Sequence, residues 1–405
     1  MNQQKRGVER GHNATRIRAF NARMILGIVR AEREISRADI ARQTGLSPPA
    51  VSAIMAELEG EGYVEKKSRR SGCVGTPSTL YGLRRGSAYS VGLHIGRRST
   101  SAVLLDLTGE AIQQAEFAYS VPRVSEVTAF IHATLETWHR ALPNLPERIV
   151  GAGICTPKFF EYAAEDIGFP ETISEEWAIF DAASAFVHLP KKLIFEENDV
   201  NAAALAELEW GHGTDVKNFF YINIGTFVGG GLVLGGRLLR GPQGLAATFG
   251  PFPVAPSGLV SAARTHGDFD YLFRRASLYV LLDHLRHGGI AVEQETELAG
   301  LDETCAPLVA EWAMDAAGAL AQAIQGVAAI IDVEAIIIDS SLPREILSAL
   351  ICEVRAQLDL NANKMIVKPK ILMGDAGERP SARGAAMVPF GEVLGIGTST
   401  QPMAP

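Results

Sequence analysis

Apolar side chains along the first sixty residues recur at helical spacing. Phe20, Met24, Ile25, Ile28 and Val29 fall three and four positions apart, which predicts an amphipathic helix. Ser36, with Asp39 three residues on, reads as the N-cap of a second, short helix. That helix ends at Thr44-Gly45-Leu46, where Gly45 suits a left-handed turn. Ser47 reads as the next cap, Pro48 takes the first helical position, and Val51, Ile54, Met55 and Leu58 form the apolar stripe of a third helix. Helix, glycine-bearing turn and capped helix together make the helix-turn-helix plan. The stretch YVEKKSRRSGCVGTPSTLYGL then predicts two short strands around a basic, glycine-containing loop, a wing. A helical dimerisation module is the alternative reading of the same pattern.

Beyond residue 87 the pattern alternates between short β-type runs and longer helical ones. AYSVGLHIGRRSTSAVLLD reads as two strands around a tight turn, and ERIVGAGICTPKFF as a strand leading to a loop. NFFYINIGTFVGGGLVLGGRLLRG reads as a hairpin with a glycine-rich turn, and VEAIIIDSSLP as a buried strand. Helical patterns cover 274–287, 307–327 and 344–357. The sum is an α/β body of two lobes, each built on a sheet. The expected division is a DNA-binding domain over 1–86 and a body over 87–405, with a hinge near 197–201.

Charge sharpens this division. Residues 1–86 hold 16 Lys+Arg against 8 Asp+Glu, whereas the rest holds 22 against 38. A basic module on an acidic body points to a polyanion partner at one end. The third helix has a small, polar tip, and Lys66, Lys67, Arg69 and Arg70 follow in the wing, so double-stranded DNA is the expected partner. Candidate contacts are Arg37, Ser47, Pro48, Pro49, Ser52 and those four wing cations. Pro49 has no amide hydrogen and cannot serve a phosphate as donor. No secretory h-region and no apolar run of membrane-spanning length is read, and the four cysteines are scattered without zinc spacing. A cytoplasmic protein is expected.

The order of the body's motifs resembles the ROK family of repressors, open reading frames and kinases. The resemblance implies a two-lobed actin-like, ribonuclease-H-like fold with a winged helix-turn-helix in front. The Glu-Asn-Asp-Ala-Asn motif of the family's sugar kinases stands here as Glu197-Asn198-Asp199-Val200-Asn201. In those kinases its Asp accepts the sugar hydroxyl proton and its Asn grips hydroxyls. Other motifs depart. The Asp-x-Gly-Gly-Thr phosphate loop is His94-Ile95-Gly96-Arg97-Arg98-Ser99, and Phe227 stands for a glycine in the second phosphate loop, Gly225 to Gly231. A glycine triplet becomes Asp339-Ser340-Ser341. A sugar-contacting Glu becomes Thr248, and a His becomes Pro251. The zinc loop is absent; His266 and Asp270 fall in its place.

Side chains at glycine positions block backbone approach to phosphate, and phosphoryl transfer needs metal neutralisation of developing charge. The expectation is therefore a ROK-type transcription regulator without catalytic residues, metal or cofactor. It would be a homodimer or homotetramer that represses carbohydrate-related genes and answers to a sugar or polyol. Expected ligand contacts are Asn198, Asp199, Gly225, Thr226, Thr248, His266 and Asp270. Two alternatives stay open at this point: a sugar kinase with an accessory DNA-binding domain, and a regulator with a vestigial cleft that senses a protein partner.

Overall fold

The computed structural model describes residues 4–70, 78–158, 167–186, 188–262 and 267–396. The N-terminal domain contains α1 (Gln4–Glu32), β1 (Ile35–Ser36), α2 (Arg37–Thr44), α3 (Pro48–Gly60), β2 (Val64–Arg70) and β3 (Ser78–Leu83). Its three-stranded sheet runs β1-β3-β2. Ser36 caps α2 as the sequence predicts, its hydroxyl accepting from Asp39 N at 3.1 Å. Gly45 closes α2 at φ 69°, donating its N–H to Ala41 O. Ser47 occupies the cap position of α3 but makes no side-chain cap bond. The second helical residue, Pro49, has no N–H to offer it. Phe20 is expected on the buried stripe of α1 and is 51% exposed, because the fully buried part of α1 begins later, at Ile25.

The first lobe carries β4 (Tyr89–Ile95), β5 (Ser99–Asp106), β6 (Ala111–Ala118), α4 (Val124–Ala141), α5 (Leu145–Arg148), β7 (Ile149–Thr156), α6 (Glu171–Ile179) and β8 (Ile194–Asn198). Then α7 (Asp199–Trp210) leads to the second lobe. There follow β9 (Phe219–Ile224), β10 (Val228–Leu234), β11 (Arg237–Leu239), β12 (Pro253–Val254), β13 (Asp270–Tyr271), α8 (Phe273–Ala276), α9 (Leu278–His287), α10 (Ala306–Ile330), β14 (Ala335–Ser340), α11 (Arg344–Leu360), β15 (Lys370–Met373) and α12 (Pro380–Leu394).

The two five-stranded sheets repeat one plan. The first runs β6-β5-β4-β7-β8 and the second β11-β10-β9-β14-β15. In each, the first strand is antiparallel to the second and parallel to the fourth. This is the duplicated actin-like arrangement. The lobes exchange their last helices. α7, leaving the first sheet, buries Val200, Ala204 and Leu208 against Phe219, Tyr221 and Val233 of the second. α12, leaving the second sheet, packs on β4 and β7 of the first. Contact there is close enough to demand glycine. A Cβ on Gly384 would stand 1.7 Å from Ala202 O, and one on Gly153 would stand 1.9 Å from Ala385 O. Buried Glu207 of α7 accepts from the N–H groups of His212, Asp375 and Ala376, pinning α7 to the chain ahead of α12. Burial pushes its carboxyl above the usual range.

The predicted helix over 274–287 is two pieces. Ser277 breaks it: its hydroxyl accepts from Val228 N at 3.0 Å, while Leu278 N donates to Gly225 O. The segment Glu303–Ile330, which includes α10, is long and apolar enough by composition to cross a membrane. Trp312, Ala316, Leu320 and Ile324 of α10 are buried in the second lobe's core.

The winged domain and the body share one core. Ile25, Leu26 and Val29 of α1 join Val103 and Leu105 of β5 and Ala386, Met387 and Phe390 of α12 in a single buried cluster. Arg30 of α1 adds a half-buried ion pair to Glu209 of α7 at 3.3 Å.

Candidate functional site

A cleft of about 310 Å³ opens between the lobes. The first lobe contributes Arg97, Pro157 and Lys158, and α7 its first turn. The second lobe supplies Asn223, Phe227 to Gly230, Gly244, Ala246 to Pro251, and Phe273. A volume of this size with an apolar lining and a few polar groups is typical of small-ligand sites.

Three of the sequence-predicted ligand residues line the cleft: Asn198, Asp199 and Thr248. Asn198 is the N-cap of α7, its Oδ1 accepting from Val200 N at 3.1 Å and Asn201 N at 3.0 Å. Its amide donates to Asp199 Oδ1 at 2.8 Å. Asp199 Oδ2 stands 3.9 Å from His94 Nε2. Burial pushes His94 below its usual range, against the opposing pull of Asp199 and Glu116, and Arg97 adds to the fall. The net shift favours the neutral ring. Glu197 is held within the protein by Arg240 Nε at 2.5 Å and Asn201 Nδ2 at 3.0 Å.

Gly225, Thr226 and Asp270 are not among the residues that line the cleft. Gly225 closes the β9–β10 turn, its N–H donating to Phe227 O. Thr226 donates its hydroxyl to Glu295 Oε1 at 2.5 Å. Burial raises the Glu295 carboxyl, and Thr226, Arg98 and Arg97 draw it back down. Asp270 is buried and pairs in register with Val254, its carboxylate accepting from Tyr271 N. His266 lies outside the described residues.

The two segments that correspond by resemblance to the family's phosphate loops touch each other. The Arg97 guanidinium stacks on the Phe227 ring at 4.7 Å, so the two substituted glycine positions meet across the cleft. Phe227 also packs on Phe273 and Tyr279. Asp339 accepts from Tyr221 Oη at 2.8 Å and lies so close to Gly374 that a Cβ there would meet it at 2.7 Å. Asn223, Phe249 and Lys158 were not singled out from the sequence. Only the topology brings their distant segments together, and the Phe227 substitution was the one local signal. Among the described residues no group of three His, Cys, Asp or Glu side chains is placed to hold a metal ion. Where family members carry a zinc loop, Asp315 instead accepts from Ser257 Oγ, Gly258 N and Arg275.

On the winged domain, Pro48 and Pro49 are exposed at the tip of α3, next to Ser47 and Ser52. Arg37 lies over the Tyr81 ring at 4.7 Å and 3.8 Å from Glu59. Lys66 pairs with Glu59 at 3.0 Å and Lys67 with Glu65 at 2.5 Å. Arg69 and Arg70 are placed by backbone pairing with Thr79 and Ser78. If they contact phosphates, Arg69→Ala/Arg70→Ala flattens the log–log salt slope of DNA binding by roughly 1.8, about 0.9 per contact. A titration series from low to high salt checks this, and an unchanged slope removes both residues from the interface.

A winged helix-turn-helix ahead of two actin-like lobes defines a DNA-binding protein on a sugar-kinase-like body. The chain belongs to the ROK family, whose sequence profile matches residues 90–389. A winged helix-turn-helix DNA-binding profile matches residues 21–65. The chain is 24% identical over 247 residues to the xylose repressor of Bacillus subtilis, covering 60% of this chain and 63% of that protein. The structure of a ROK family transcriptional regulator, a homologue of the E. coli MLC protein, superimposes at TM-score 0.63 and 19% identity, covering 92% of this chain and 98% of the other. A ROK family glucokinase from Streptomyces griseus, solved with glucose and AMPPNP, gives TM-score 0.52 at 19% identity, covering 74% of this chain and 99% of the other.

Proposed function

We propose that this ROK regulator is a repressor that binds a sugar or polyol in its inter-lobe cleft and transfers no phosphate. The observation that carries the reading is the Arg97–Phe227 stack, which occupies the meeting point of the two loops that would cradle phosphates. Asp199 and Asn198 supply a carboxylate and an amide at the cleft wall, a pairing suited to vicinal hydroxyls through charge-assisted hydrogen bonds. The likeness to a xylose repressor supports a carbohydrate signal. A homo-oligomer is the expected working form, since helix-turn-helix regulators read paired half-sites.

A kinase reading draws on one feature, the Asp199 carboxylate kept in the position of the family's catalytic base. One experiment separates the two. The full chain is incubated with ATP, Mg²⁺ and a panel of pentoses, hexoses and polyols, and ADP release is followed by a coupled assay. Calorimetry is run on the same panel. The proposal expects heat of binding for at least one compound and no sugar-dependent ADP above background. Sugar-dependent turnover removes it, and so does a panel without binding.

A further inference from the structure

The α3 helix can read in a major groove only what its own surface offers. Val51, Ile54, Met55 and Leu58 are buried in the domain core. Pro48, Pro49, Ala53, Ala56 and Glu57 are exposed on the other side, with Ser52 half-buried beside them. The helix, PPAVSAIMAELEG, contains no Arg, Lys, Asn or Gln. Those are the side chains that grip guanine or adenine with two hydrogen bonds. Its carboxylates are Glu57 and Glu59. A free carboxylate in the groove can accept from cytosine N4, but both are engaged from outside the helix. Glu57 takes Arg18 Nε at 2.9 Å and Nη2 at 2.7 Å. Glu59 pairs with Lys66 and Arg37.

What remains on the groove-facing side is the Pro49 ring, the methyl groups of Ala53 and Ala56, and the Ser52 hydroxyl. Short side chains let the helix backbone come close to the base edges. In the major groove the four bases differ in donors and acceptors, and thymine alone presents a methyl group. We propose that α3 reads its half-site chiefly through thymine C5-methyl groups, packed against Pro49, Ala53 and Ala56, with Ser52 as the one side-chain hydrogen-bonding group at the centre of the contact. The inference rests on the winged domain entering the major groove with α3, the docking mode of its class. It assigns the specificity of the operator to apolar contact, and the holding strength to the cations around it. Arg18, Lys66 and Arg37 then also keep the two glutamates from repelling phosphate.

The test uses the full chain. Duplexes are enriched from a random pool by binding, and the tightest is remade with deoxyuridine replacing thymidine one position at a time. This removes a methyl group and leaves every hydrogen bond and phosphate in place. The expected result is a loss of about four-fold at each of two or more positions per half-site, the worth of one buried methylene-sized group. Ala53→Gly should abolish the uridine sensitivity at one position while binding to unselected DNA at low salt stays the same. That last measurement, with the thermal midpoint, separates a readout effect from a misfolded helix. Uridine neutral at every position overturns the proposal. So does a cytosine preference that vanishes in Glu57→Gln, which would show Glu57 leaving Arg18 to read a base. A pool that never enriches overturns the major-groove docking itself, and is distinguishable because binding would then be equal for all duplexes.

Discussion

Asp315→Ala lowers the stability of the second lobe by about 3–5 kcal/mol, the usual cost of stranding one partner of a buried ion pair. Arg275 and Asp315 are each 9% exposed and meet at 2.8 Å. Arg275 also donates to Ala255 O and Asp315 O, and Asp315 holds Ser257 and Gly258. Removing the carboxylate leaves a guanidinium in the core and frees the segment after β12. Urea unfolding of the two proteins measures the difference. Replacing both partners, as Arg275→Met/Asp315→Leu, should recover part of the loss, since no charge is then left alone. Zinc or a chelator should leave the wild-type midpoint where it is. A single-variant loss under about 1 kcal/mol would show that the pair does not hold this loop.

Asp199→Asn weakens the effector roughly ten- to a hundred-fold, the worth of a hydrogen bond to a charged group, about 1.5–3 kcal/mol. One Asp199 oxygen is already committed to Asn198 Nδ2 and Val200 N. The other faces His94 at 3.9 Å, beyond hydrogen-bond range, and has capacity for a ligand hydroxyl. The charge also favours the N-terminus of α7, but that costs only about 0.3–1 kcal/mol when lost, so the fold persists. A catalytic base would behave differently, because its removal stops turnover and leaves sugar affinity comparatively intact. DNA titrations with and without the sugar found by calorimetry decide the matter. A ligand moves an equilibrium only through its differential affinity for two states. The variant should therefore need a correspondingly higher sugar concentration to change DNA affinity. An unchanged dose response places sensing outside this cleft.

The elements that local pattern controls were legible in the sequence. Gly45, Ser36 and the stripe from Val51 to Leu58 act within a few residues of themselves, and all three appear in the structure as expected. Ser277 was not legible as a helix break, because its effect depends on Val228, 49 positions away. The cleft shows the same limit. Asn198 and Asp199 were readable because strand end and helix cap are adjacent in the chain. Thr226 was placed on a ligand loop by resemblance, but it turns to Glu295, a residue no motif marks. Asp270 likewise disappears into a two-residue bridge. The Arg97–Phe227 stack could be suspected only as two separate substitutions, and their meeting is a property of how the two lobes face each other.

The core shared by α1, β5 and α12 gives the protein a socket rather than a tether. A cut after residue 86 would strip cover from Ile25, Leu26 and Val29, all at most 3% exposed. It would also leave Arg30 without Glu209 and without the Met387 sulfur that accepts from it. The α7 helix that offers Glu209 at one end carries Asp199 at the other, about 15 Å away at 1.5 Å per residue. Chimeras between ROK regulators are thus constrained by more than the reading head. A foreign winged domain grafted onto this body would need the outer face of α12 and the last turn of α7 to come with it, or it would ride loosely and lose its orientation over DNA.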